Sequence, residues 1–133
     1  MARPKAEHPT PAELEILKIL WDRGPCTVRD VHDVLKSRKQ KRAYTSVMSL
    51  MNVMADKGQL KRKPQGRAYL YQPAMERETT LGGMVGELCE RVFEGSASLL
   101  VTRLLEQSTP TSQELEQIRE AIETYRKQHP GER

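Results

Sequence analysis

A chain of 133 residues has room for one domain, or for a compact domain with a short accessory one. Its 37% hydrophobic and 5% aromatic content, with a mean hydropathy of -0.69, allow a modest core and much solvated surface, so burial against a partner is expected. The net charge of +4 is unevenly shared: residues 1–73 carry 15 Lys and Arg against 7 Asp and Glu, net +8, whereas residues 74–133 carry 7 against 11, net −4. A basic half attracts a polyanion and an acidic half is repelled by one, so the two halves want different partners. No run approaches the roughly 18 apolar residues that span a bilayer, and MARPKAEHPT lacks an apolar signal core, so a cytoplasmic protein is expected. Cys26 and Cys89 form no CxxC or CxC pair, which points away from a disulfide framework or a thiolate metal site and toward small buried apolar residues.

Thr10-Pro11-Ala12-Glu13 reads as a capping box with proline at the first helical position. Leu14, Leu17, Leu20 and Trp21 then recur at helical spacing until Gly24-Pro25. Thr27 caps a second, shorter helix with Val28, Val31, Val34 and Leu35 inward, ending near Ser37. A third helix is expected from about Tyr44 to Lys57, closed by Gly58. At 100° per residue Val47, Leu50, Met51 and Met54 share one side, Thr45, Ser49 and Asn52 the other, and Met48 and Val53 lie on the margins. Leu60-Lys61-Arg62-Lys63 and Arg67-Ala68-Tyr69-Leu70-Tyr71 are β-prone runs around a turn at Pro64-Gln65-Gly66, and Pro73 ends the second.

Beyond residue 73 the pattern is helical. Leu81, Met84, Val85, Leu88 and Val92 make one stripe; Leu99, Leu100, Leu104 and Leu105 follow a cap at Ser96; Leu115, Ile118, Ile122 and Tyr125 follow a second capping box at Thr111. Three short helices make a thin core, so a second copy is expected to cover Leu81, Val85, Leu88, Val92, Leu99, Leu104, Ile118 and Ile122. The predicted fold class is mainly α with a small β-hairpin wing, divided into a winged helix-turn-helix domain over 1–73 and a helical dimerisation region over 74–133.

Between Lys36 and Arg67 there are ten basic residues and one acidic residue, Asp56. They fall on the loop before the third helix and on the hairpin after it, as phosphate contacts flank a helix in the major groove. Lys41, Arg42, Arg62, Lys63 and Arg67 are therefore read as backbone contacts, and Thr45, Ser46, Ser49 and Asn52 as base-reading or phosphate-binding groups, with Asn52 suited to a bidentate adenine contact. Apolar Met48 and Val53 could meet thymine methyls. A winged-helix adaptor that grips protein or structured RNA through the same basic face is the competing reading. His8, His32 and His129 are scattered, and the chain lacks HExxH, GxSxG and phosphate-loop patterns, so no catalytic residue, metal ligand or cofactor site is assigned.

Several segments resemble the penicillinase-repressor, or BlaI/MecI-type, regulators of bacteria. They are Glu13-Leu14-Glu15-Ile16-Leu17 through Leu20-Trp21, Thr27-Val28-Arg29-Asp30-Val31, Ala43-Tyr44-Thr45-Ser46-Val47, Asp56-Lys57-Gly58 and Gly66-Arg67-Ala68-Tyr69-Leu70-Tyr71. The resemblance implies a winged-helix DNA-binding domain, a C-terminal dimerisation region and repression at inverted-repeat operators in double-stranded DNA. It also implies that Tyr44, Thr45, Ser46, Ser49, Asn52 and Arg67 face DNA, and it adds a regulatory protease as a partner. Two departures accompany it: Val53 stands where many members carry arginine, and the stretch near Thr102-Arg103 does not resemble the cleavage site of the resistance regulators. The paired C-terminal cysteines of copper-responsive relatives are also missing.

Overall fold

The computed structural model describes residues 8–131, so the N-terminal residues 1–7 and the last two lie outside the description. The elements run α1 (Pro11–Arg23), α2 (Val28–Ser37), α3 (Tyr44–Asp56), β1 (Leu60–Gln65), β2 (Ala68–Pro73), α4 (Arg77–Phe93), α5 (Ala97–Ser108) and α6 (Ser112–Gln128). This is the helix, helix, helix, hairpin order of a winged helix, with three further helices.

Local chemistry sets the helix starts. At Thr10, Thr27 and Thr111 the threonine hydroxyl accepts from the backbone N–H three residues on, while the Glu13, Asp30 or Glu114 carboxylate accepts from the cap N–H. Ser96 caps α5 with its hydroxyl. Past the end of α3, Gly58 adopts φ 84, and Gln59 N–H turns back to the Met54 carbonyl, satisfying an end that most side chains would strain.

The first helices pack through Ile16, Ile19 and Leu20 of α1, Val31 of α2, and Val47, Met51 and Met54 of α3, all fully buried. Leu60 and Tyr71 close this core from the hairpin. The turn of the hairpin differs from expectation: β1 runs through Pro64 and Gln65, Gln65 pairs with Ala68, and the reversal falls on Gly66-Arg67. Tyr71 exchanges both backbone hydrogen bonds with Cys26, so its β1 partner Arg62 occupies a non-hydrogen-bonded position. Antiparallel pairs alternate, which puts Pro64, opposite Tyr69, at another such position, where its missing N–H costs the ladder nothing. Gly66 at φ 62 and Arg67 at negative φ fit a two-residue II′-type reversal and place Arg67 at the tip of the wing.

The chain divides into two compact units, residues 1–86 and 87–133. The division between these units falls within α4, whereas the sequence pattern changes at residue 73. In the first unit the Trp21 indole donates to the Met75 carbonyl at 3.1 Å, and Thr80 is buried, so the segment after the wing belongs to the winged-helix body. The second unit is three helical stretches in which no described residue is buried. Val92, Leu99, Leu104 and Ile122 are exposed there, and Leu88 is at the edge of exposure. Ile118 is half-buried, as is Leu81 in the first unit, while Val85 is 56% exposed.

Candidate nucleic-acid interface

Because Val47, Met51 and Met54 point inward, the opposite side of α3 is committed to the surface. Tyr44, Thr45, Ser46, Met48, Ser49 and Val53 are exposed on it, and Thr45, Ser46, Ser49, Leu50 and Val53 line a shallow depression. Side chains this short let another surface approach the helix backbone closely. The helix also begins differently from α1, α2, α5 and α6. Its N-cap is Ala43, which offers no side-chain hydrogen bond, and its first turn, unlike those of α1, α2 and α6, holds no acid. The open N–H groups and the positive end of the helix dipole are therefore free to meet an anion such as a phosphate.

Tyr44 is held from α2: its ring meets His32 edge-on at 5.6 Å and lies under the Arg29 guanidinium at 5.6 Å. These two α2 residues escaped the sequence reading, although their i, i+3 spacing toward one face was there to be read. Ala43 escaped it too; its signal was an alanine in the cap position of a chain that elsewhere uses threonine or serine.

The basic groups do not share one state. Lys41, Lys63 and Arg67 are exposed and make no ion pair among the described residues. Arg42 instead donates to Glu15 at 3.0 Å, tying the loop before α3 to α1. Arg62 stacks over Tyr69 at 5.1 Å and donates through Nη1 to Asn52 Oδ1 at 2.8 Å.

Asn52 is engaged within the chain. It is half-buried, and Oδ1 also accepts from the Tyr71 hydroxyl at 2.8 Å. A bidentate adenine contact needs that oxygen to accept from the base, so it would have to displace at least one of these two bonds. The helical wheel placed Asn52 on the polar face correctly, but the hairpin folds against that part of the face. Asn52 joins α3 to the wing. Asn52→Ala is expected to cost about 1–3 kcal/mol by stranding the Tyr71 hydroxyl and releasing Arg62. Affinity for specific and random duplexes should fall by similar factors, measured by thermal unfolding beside fluorescence anisotropy. An unchanged melting temperature with lost discrimination would return Asn52 to base reading.

A family described as penicillinase repressor matches residues 9–124, which takes in every element from α1 through most of α6. The chain belongs to the penicillinase repressor family. It is accordingly a transcriptional repressor rather than an enzyme, and the winged-helix architecture is the family's. Among individual relatives, it is 32% identical over 96 residues to the "Transcriptional regulator BlaI" of Mycobacterium tuberculosis, covering 71% of this chain and 69% of that protein. It is 20% identical over 115 residues to the "Penicillinase repressor" of Bacillus licheniformis, covering 86% and 89%. A 16.5 kDa protein of Latilactobacillus sakei is 22% identical over 113 residues. No helix among the described residues is long and apolar enough to cross a membrane.

Proposed function

We propose that the protein represses transcription by binding an inverted-repeat operator in duplex DNA as a homodimer, with α3 in the major groove and the wing on the adjacent backbone. The observation that carries this reading is the short-side-chain face of α3, opened by the uncapped Ala43 and flanked by the Lys41 loop and the Lys63-Arg67 wing. Thr45, Ser46 and Ser49 are the groups that meet base edges and nearby phosphates, with Met48 and Val53 available to thymine methyls. Lys41, Lys63 and Arg67 meet phosphates, and Arg62 is held ready beside them by Asn52.

Dimerisation is supported by the second unit, where Val92, Leu99, Leu104 and Ile122 stay about half exposed in the single chain. Leu115 and Tyr125 join the same pool of uncovered apolar surface, although the stripe read from sequence did not include them in the interface. A two-fold axis presents two copies of α3 to half-sites about one helical turn, or a small multiple of it, apart. Cleavage near Thr102 and Arg103 by a protease would first have to unwind the middle of α5, so proteolytic relief does not form part of this reading.

Selection of binding sites from a pool of random duplexes tests the reading, with an inverted repeat as the expected product and an unstructured or absent consensus as the result that overturns it. On the selected duplex, log affinity against log salt should slope by about −0.9 per phosphate contact. Replacing Lys63 and Arg67 by Ala should flatten the slope by about 0.9 for each contact removed per subunit; a slope that does not change takes the wing off the DNA backbone.

A further inference from the structure

Arg29, in the first turn of α2, is exposed and makes no ion pair among the described residues. Its guanidinium lies 5.6 Å from the centroid of the Tyr44 ring at the start of α3, within the range of a cation–π contact. His32, one turn further along α2, meets the same ring edge-on at 5.6 Å, so two residues of one helix hold the ring in place. The acids of α2 are engaged elsewhere: the Asp30 carboxylate accepts from the Thr27 N–H, and Asp33 lies beside His32 at 3.9 Å.

The other end of the exposed α3 face repeats the device. There Arg62 lies over Tyr69 at 5.1 Å and donates to Asn52. From Tyr44 to Asn52 the helix rises about 12 Å, close to the roughly 12 Å width of the major groove. An arginine laid on an aromatic face has fewer rotamers to lose when it binds, and it keeps its N–H edge for an anion. In a helix-turn-helix the first helix crosses the DNA backbone while the second occupies the groove, so a cation on α2 beside the start of α3 meets phosphate rather than base edges.

We infer that Arg29 is a phosphate contact at the end of α3 away from the wing, and that Tyr44 is its positioning residue, acting through its ring and not through a contact of its own with DNA. The inference rests on the duplex-binding reading. It gives the exposed face of α3 a held arginine at each end, which fixes the placement of Thr45, Ser46 and Ser49 on the bases from both sides.

On the selected duplex the unmodified full chain is measured first, and an affinity that does not depend on salt removes the duplex-binding reading and this inference with it. Arg29→Ala should flatten the slope of log affinity against log salt by about 0.9 per subunit and lower affinity about eightfold per subunit at 0.1 M salt. Replacing single phosphates by methylphosphonates should locate the contact: one position in each half-site that weakens the unmodified protein should leave Arg29→Ala unaffected. Tyr44→Phe, which keeps the ring, should bind as the unmodified protein does. Tyr44→Leu should weaken binding severalfold, yet cost nothing more in the Arg29→Ala background, whereas a tyrosine with a merely structural role would lose the same factor in both. With a salt-dependent unmodified protein in hand, the inference alone is overturned by an unchanged slope in Arg29→Ala, by identical methylphosphonate maps, by a loss of affinity in Tyr44→Phe, or by equal losses from Tyr44→Leu in the two backgrounds. Arg29 and Tyr44 are both exposed, and Arg29→Gln, which keeps the aliphatic stem, repeats the slope measurement should the alanine variant lose stability.

Discussion

Leu104→Asp is expected to convert the protein to a monomer at micromolar concentration while leaving the winged-helix unit folded. In the single chain Leu104 is 54% exposed, so a carboxylate there remains hydrated and costs that unit little. In a two-fold dimer the same position is covered twice, once in each copy, and each buried carboxylate without a partner carries a penalty of several kcal/mol. A combined loss of even 4 kcal/mol raises the dimer dissociation constant about a thousandfold. Operator binding should weaken by about a hundredfold or more, because the second half-site then binds without the effective concentration that linkage provides. Sedimentation velocity on both proteins, with far-UV circular dichroism as a control, reads the result directly. A wild-type monomer at micromolar concentration, or a variant that still dimerises, would give the apolar faces of α4–α6 another purpose.

Much of this architecture was legible because its signals are local. Thr10, Thr27, Ser96 and Thr111 marked helix starts through chemistry confined to four residues, and each is a cap in the structure. The features that local pattern did not show depend on long-range geometry. Pro64 is an ordinary turn residue by local preference, and its place inside β1 follows from Cys26 taking both backbone bonds of Tyr71 from the far side of the hairpin. Asn52 lies on the polar face of its helix as periodicity requires, yet Tyr71 and Arg62 claim it through contacts 19 and 10 residues away. The segment after the wing is a further case: Pro73 does end a strand, and the Trp21 indole reaches across to Met75 within the first unit. In the second unit the apolar stripes were readable, whereas periodicity alone could not say whether they would be covered within the chain. There the absence of any buried residue among those described is new information.

Glu13 carries the remaining prediction, because its capping role conceals a larger one. The carboxylate is 3% exposed and accepts from Thr10 N–H at 3.0 Å, Lys57 Nζ at 2.8 Å and Gln59 Nε2 at 3.2 Å, so it fastens the start of α1 to the end of α3 and the approach to β1. Burial pushes its pKa up, but the hydrogen bonds from Lys57, Thr10 and Gln59, with the lysine charge, outweigh that and hold it below the ordinary carboxyl value. A depressed folded-state pKa means that the unfolded chain binds the proton more readily. The stabilisation is therefore complete above the unfolded value near 4.5 and disappears as pH falls through the folded one. Glu13→Ala should cost about 2 kcal/mol at pH 7, since three donors lose their acceptor although Lys57 can still reach water. In a unit of this size that is a melting temperature lower by roughly 10 °C. The gap between wild type and variant should shrink on acidification below pH 4.5, because the wild type then loses what the variant never had. Thermal unfolding of both proteins between pH 7 and pH 3 measures it, and a gap of constant size across that range would show that the ionised carboxylate is not what binds α1 to α3.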